Sequence, residues 1–329
     1  MSRTLRIGTR DSQLAVWQAT LVQDLLQTEG IASELVYIKS EGDIDTVTPL
    51  YALGVQGVFT RSLDAALLSN RIDIAVHSMK DVPTQLAQGI IENAVLERAS
   101  TKDILVYKDL AALEQLGWVN GQWSLVNNDR AANASPVHHS PLTIGTSSIR
   151  RNAQWKRRYP NSVVENLRGN VNTRLRKLAE SSWTGAIFAA AGLERINLRP
   201  ETSVELDWML PAPAQGAIMI VCREDDQEAY DMVRPLNHPE TALCARIERQ
   251  FLRALMGGCS TPISALARME FAQVVFEGHV CAPDGSDIVE IRNTVDIVAA
   301  GNLGTEAGEE LLKDPKAQQI IQSIRNAKG

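Results

Sequence analysis

Three features of this chain predict an α/β protein of three domains, the first two alike and enclosing a cleft, the third a small α+β unit. At 329 residues it exceeds what one hydrophobic core organises. The tripeptide Ile-Gly-Thr occurs at residues 7–9 and again at 144–146, each time leading from a strand-like run through a polar turn into a helical pattern. Beyond about Leu236 the pattern changes to a helical stripe, a hairpin and a closing helix.

The first unit runs from Leu5-Arg6-Ile7 through Gly8 to Ser12, residues suited to an N-cap, into a helix with Leu14, Trp17, Leu21 and Leu25 on its apolar face and Gly30 as its stop. A short β-branched strand at residues 72–76 ends in His77-Ser78-Met79-Lys80-Asp81-Val82-Pro83, and residues 185–193 read as its counterpart in the second unit. Loops after strand C-termini are where open α/β sheets bind ligands, and helix N-termini there favour anions. Residues 118–141, with Asn127-Asn128, Pro136 and His138-His139, show little periodicity and read as an exposed loop insertion. Past Leu236, the residues Leu243, Ile247, Phe251 and Leu255 share a helix face, residues 273–281 and 288–296 flank a turn at Pro283-Asp284-Gly285, and one helix covers residues 305–325.

Charge narrows the function. The chain carries a net −6, yet nine cations and a single acid, Glu165, lie between Arg150 and Lys177. Arginine is always charged and bidentate, so such an island points to carboxylates or phosphates. Nucleic acid is a poor fit, because the pI is about 5.5 and only Trp155 and Tyr159 interleave the cations. A small multi-carboxylate ligand fits better. Arg157, Arg158, Arg176 and Lys177 read as a solvated helix face. The four cysteines, Cys222, Cys244, Cys259 and Cys281, form no CxxC pair, which argues against zinc and against a disulfide framework; no metal is expected. No apolar run approaches the ~20 residues of a membrane span and the N-terminus shows no signal-peptide pattern, so the expected location is cytoplasmic.

Several residues have chemistry to offer. Asp81 is either a general acid–base or the counter-charge for a cationic intermediate, or else it pairs with Lys80 to cap a turn; Lys80 can bind a carboxylate. Arg168 and Arg174 flank a glycine turn, Gly169-Asn170, that feeds a helix. Cys259, after Gly257-Gly258, is either an accessible nucleophile or a buried, inert thiol.

Six segments together resemble the porphobilinogen deaminase family, over nearly the whole chain. They are residues 7–15 (Ile-Gly-Thr-Arg-Asp-Ser-Gln-Leu-Ala), 73–83 ending Met79-Lys80-Asp81-Val82-Pro83, 145–151 ending Arg150-Arg151, 167–174, Pro211-Ala212-Pro213-Ala214-Gln215-Gly216-Ala217 and Gly257-Gly258-Cys259. The resemblance implies two halves like those of type II periplasmic binding proteins plus a third domain: residues 1–97 with a returning segment at 217–234, residues 102–212 carrying the insertion 118–141, and residues 239–329. It implies a dipyrromethane cofactor linked through a thioether to Cys259, onto which four porphobilinogens are added head to tail before hydrolysis releases linear hydroxymethylbilane, in heme and other tetrapyrrole biosynthesis. By position Asp81 is the implied catalytic aspartate, facing the azafulvene cation that follows loss of ammonia. Arg10, Ser12, Lys80, Arg150, Arg151, Arg168 and Arg174 are implied to bind acetate and propionate groups, and Phe59 and Gln215 to line the cleft or its lid. The implied state is a monomer that passes product to uroporphyrinogen-III synthase. The chain departs from the family at Gln56, where a lysine is common, and in the insertion 118–141. The alternative is a non-catalytic anion-binding protein on the same scaffold.

Overall fold

The computed structural model describes residues 3–39, 60–119, 121–123, 142–255 and 261–326. Cys259, Gln56 and Phe59, the last expected at the cleft or its lid, and most of the segment 118–141 lie outside the described residues.

The first sheet contains β1 (Leu5–Thr9), β2 (Ser33–Tyr37), β3 (Ile74–Ser78) and β4 (Ile90–Val95), with helices α1 (Gln13–Thr28) and α2 (Arg61–Leu68) between them. The chain then crosses to a second sheet through β5 (Asp103–Tyr107) and α3 (Leu110–Gln115), followed by a two-strand ribbon, β6 (Trp118–Val119) with β7 (Gln122–Trp123). The second sheet continues with β8 (Thr143–Gly145), α4 (Ile149–Arg158), β9 (Val163–Glu165), α5 (Val171–Glu180), β10 (Gly185–Ala189), α6 (Ala190–Glu194) and β11 (Ser203–Glu205). β12 (Ile218–Arg223) returns to the first sheet and α7 (Gln227–Val233) follows it. The remainder is α8 (Pro239–Ala254), β13 (Ile263–Glu270), β14 (Gln273–Cys281), β15 (Ile288–Asp296), α9 (Leu303–Leu311) and α10 (Pro315–Asn326).

Read in the same sense, the two large sheets have matching orders, β2-β1-β3-β12-β4 and β9-β8-β10-β5-β11. In each, three parallel strands are extended by an antiparallel strand that belongs to a crossing segment, β12 in one and β5 in the other. The repeated Ile-Gly-Thr sits at equivalent places, β1 and β8, and both glycines are there for packing. A Cβ on Gly8 would lie 2.2 Å from Ile72 Cδ1, and one on Gly145 2.5 Å from the Trp183 ring. Both helices that follow are capped as the sequence predicts: Ser12 Oγ accepts from Ala15 N, and Ser148 Oγ from Arg151 N. Leu5 and Ile7 are fully buried between the layers, each contributing roughly 1.5–3 kcal/mol of apolar transfer.

Four elements depart from expectation. The most buried face of α1 is Ala15, Ala19, Val22 and Leu26, one step round from the predicted stripe. Leu14 instead approaches Gly192 and Trp17 faces Arg195, so part of the predicted stripe serves the contact between the two sheets' domains. The closing helix is broken into α9 and α10, because Pro315 cannot donate its amide and starts a new helix. β13 is a third strand on the expected hairpin. The start of the insertion, read as loop, is the β6–β7 ribbon, whose Trp118 and Trp123 meet edge to face at 5.1 Å and pack on the second domain's core.

The third sheet, β13-β14-β15, turns its apolar face to α8, α9 and α10, around Ile247, Phe251, Phe276 and Ile320. Glu248 on α8 ties this unit to the crossing segments. It accepts from Arg98 Nη1 (2.6 Å) and Nη2 (2.9 Å), from Ala214 N (2.6 Å) and from Ala267 N (2.8 Å).

Candidate active site

β3 ends in a 3₁₀ turn, Met79–Asp81, which anchors Met79 in the core and leaves Lys80 and Asp81 half-buried at the sheet's C-terminal edge. Facing them across the cleft is the start of α4, where the Ser148 cap orients Arg150 and Arg151 inward; each is only 5% exposed. Both meet a carboxylate that sequence reasoning missed. Asp103, at the start of β5, lies 2.7 Å from Arg150 Nη2 and 2.8 Å from Arg151 Nη2. Arg151 also donates to Ile187 O and Arg150 to Leu210 O. These two arginines, expected to hold ligand carboxylates, are therefore partly spent on the protein. Arg150 Nε is still buried with no hydrogen-bond partner among the described residues.

Gln215, expected to line the cleft or lid, has no exposed surface. Its amide donates to Asp103 Oδ1 (3.0 Å) and Thr101 O (2.7 Å), so it positions the carboxylate beneath the arginines. A signal for Asp103 was available: one acid opening the apolar run Ile104-Leu105-Val106 must be paired or functional.

The glycine turn before α5 supplies two more cations. Gly169 has φ +112°, which a side chain would not tolerate, and its carbonyl accepts from Arg174 Nε at 2.7 Å. Asn170 caps α5 by accepting from Thr173 N, and Arg168 is buried beside the turn. In the first domain Arg10 follows β1. Ser12 uses its oxygen as an acceptor at the cap, leaving its hydroxyl hydrogen to donate to an anion.

Electrostatics join these groups into one site. Burial lowers the Lys80 pKa to about 8; Asp81 and Asp103 raise it while Arg151 and Arg150 lower it further. Burial likewise brings Arg174 to about 10, with Arg151 and Arg168 lowering and Asp81 raising it. Burial pushes Asp103 up, but Arg150 and Arg151 more than offset it and hold the carboxyl below its ordinary range. His77 is neutral: burial first, then the Arg10 charge, lowers it to about 4. Asp81 is half-buried, and its charge acts on both Lys80 and Arg174. Lys80, Arg150, Arg151, Arg168 and Arg174 thus surround two carboxylates, an excess of positive charge suited to a polyanion.

Arg195 is a further cation that sequence reasoning missed. It lies over the Trp17 ring at 5.7 Å and donates to Gly216 O at 2.7 Å, joining the two domains at their crossing segment, and burial lowers it to about 10. Gln13 and Asn172 also meet across the domains at 2.9 Å. Cys222, Cys244 and Cys281 are buried, and burial raises each thiol to about 11, which makes them inert as expected. Among the described residues no cluster of metal-ligating side chains occurs, and no helix is long and apolar enough to cross a membrane.

Fold and site define an α/β protein with a cationic cleft between two sheets of like strand order, joined to a small α+β domain. Residues 5–231 match the model of the porphobilinogen deaminase dipyromethane cofactor binding domain, and residues 242–313 match that of the porphobilinogen deaminase C-terminal domain. The chain belongs to the porphobilinogen deaminase family. It is accordingly a transferase of tetrapyrrole synthesis whose cofactor is dipyrromethane and whose substrate is porphobilinogen. Solved structures with similarity include a probable amino-acid ABC transporter extracellular-binding protein from Bacillus subtilis (11% identity, 72% of this chain and 90% of that one, TM-score 0.41). An arginine-specific periplasmic binding protein from Salmonella typhimurium (11%, 73% and 94%, TM-score 0.40) and the BvgS VFT2 domain of Bordetella pertussis (14%, 71% and 86%, TM-score 0.39) are others.

Proposed function

We propose that the chain joins four porphobilinogen molecules head to tail onto a dipyrromethane attached at Cys259, with loss of one ammonia per addition and hydrolytic release of hydroxymethylbilane. The observation that carries this reading is the convergence of Lys80 and Asp81 from one sheet with Arg150, Arg151, Arg168 and Arg174 from the other. When bound, the cofactor supplies the pyrrole carbon to which substrate is joined.

The residues present fit such a group. Acetate and propionate side chains need several cations held in place without water, and the buried, unsatisfied Arg150 Nε together with Lys80, Arg168 and Arg174 offers them. Arg10 and Ser12 add a guanidinium and a hydroxyl at the opposite rim. Asp81, set amid Lys80 and Arg174, accepts from pyrrole N–H groups, balances the positive charge left when ammonia departs, and takes the proton lost as each new C–C bond forms. Asp103 and Gln215 keep Arg150 and Arg151 aimed.

In this reading the domains span residues 1–97 with 217–234, 102–212 and 239–329. The protein acts as a cytoplasmic monomer and hands its product to uroporphyrinogen-III synthase. The test is the intact mass of the denatured protein before and after porphobilinogen. An adduct of two linked pyrroles on the peptide containing Cys259, growing in single-pyrrole steps, supports the proposal; a chain that stays unmodified sinks it. Cys259→Ala should lose the adduct.

A further inference from the structure

A second cavity lies between the second and third domains and borders the cationic cleft, since Leu210 in its lining accepts from Arg150. In the third sheet side chains alternate, so while Ala265, Phe276 and Val289 face the helices, Leu266, His279 and Ile288 face the second domain. Against this open face stand the C-terminal half of α4 and the loop after β11, with Arg157, Arg158, Trp208 and Met209. Between them is a cavity of about 780 Å³. Arg157 and Arg158, which read as a solvated helix face in the sequence, are its wall, and Arg158 stacks on the Trp208 ring at 5.0 Å.

Two polar atoms here are unsatisfied. His279 is 3% exposed and lines the cavity, and its Nε2 is buried with no partner among the described residues; the same holds for Trp208 Nε1. Each bears a desolvation cost that a ligand atom could relieve. An indole N–H only donates, so the partner of Trp208 must be an acceptor. The charge agrees: Lys102 pairs with Asp207, and both Arg268 and Arg292 pair with Glu277. Arg157 and Arg158 on α4 bring positive charge beyond those pairs, with Glu290 the remaining acid of the lining. Leu266, Met209 and Ile288 offer apolar surface for a ring system.

We propose that this cavity between the second and third domains binds an aromatic carboxylate, its oxygens toward Trp208 and the α4 arginines and its rings against the sheet. None of the cations assigned above to the cofactor lines this cavity, and its occupant bridges the two domains.

The experiment uses the full chain and 1-pyrenecarboxylate, followed by pyrene anisotropy, with uncharged 1-pyrenemethanol as its twin. Saturable binding of one equivalent is expected, at least tenfold tighter for the carboxylate. Removing the α4 cations (R157A with R158A), or filling the cavity with Leu266→Trp, should each weaken it tenfold or more, with folding checked by urea unfolding. Lys80→Gln, which alters only the catalytic cleft, should leave it unchanged. Equal affinity for the twin, no saturable binding, or binding lost in Lys80→Gln but kept in Leu266→Trp would overturn the proposal.

Discussion

Replacing Glu248 by Gln should cost about 4 kcal/mol, far more than an ordinary isosteric change. Its side chain is 0% exposed and every bond it makes is accepted by a carboxylate oxygen. Oε1 takes Arg98 Nη1 and Ala267 N, while Oε2 takes Arg98 Nη2 and Ala214 N. A glutamine has one acceptor and one NH₂, so in either orientation the NH₂ points at two donors. Two hydrogen bonds are lost, one of them charge-assisted, and Arg98 keeps its charge in a buried setting; breaking such a pair costs about 3–5 kcal/mol. That is a large share of a net stability of about 5–15 kcal/mol. Because Glu248 bridges α8, β13 and both crossing segments, the third domain should also uncouple. All six tryptophans precede Leu236, so their fluorescence reports the first two domains while circular dichroism reports all three. Urea unfolding of Glu248→Gln should therefore show an earlier dichroism transition that no longer coincides with fluorescence. A loss below about 1 kcal/mol with coincident transitions would refute the reasoning, since four buried bonds cannot be that weak.

Other expectations follow from the site. Asp81→Ala should abolish elongation while the cofactor still assembles, as read by mass; normal turnover would remove Asp81 from the chemistry. Asp103→Asn takes away a negative charge that supports protonated Lys80, so the rise of KM for porphobilinogen in alkali should begin at lower pH than in the parent; an unchanged profile removes Asp103 from this circuit. His77 and His279 are held neutral at about 4 and about 3 by burial, against 6.5 for the free ring. The unfolded chain therefore takes up protons first as pH falls, and stability should decline from about pH 6.5 down toward 4 for the His77 contribution and toward 3 for that of His279. His77→Gln should flatten that limb in urea unfolding at stepped pH, and an unaltered slope would count against its buried, neutral state.

What was legible in the sequence was local. The strand–turn–helix repeat, the Ser12 and Ser148 caps and the Gly169 turn depend on neighbours within a few residues, and the structure has each of them. Pairings across the chain were not legible. Asp103 meets Arg151 from 48 residues away, and only the folded sheets reveal that two arginines of the basic island are held by it. Periodicity identified α1 but misjudged its face, because the same helix packs on its own sheet and on the second domain. Arg157 and Arg158 looked solvated for a related reason: what covers them is a sheet that begins over a hundred residues later. Pro315 was readable and was passed over.

The arrangement of charge explains how an acidic chain sustains its basic cleft. Buried cations each lose hydration and, to a smaller extent, repel one another, which is why Lys80 and Arg174 fall to about 8 and about 10. Asp103 relieves two deeply buried cations directly, Arg150 and Arg151. Each carboxylate that enters supplies what the protein withholds, raising the pKa of Lys80 and settling its proton. Above about pH 8, uptake of ligand must then be accompanied by uptake of a proton at Lys80. In the proposed reaction the arginines hold the chain of pyrroles, and Lys80, with its pKa at about 8, is a cation whose charge responds to whether a carboxylate has arrived.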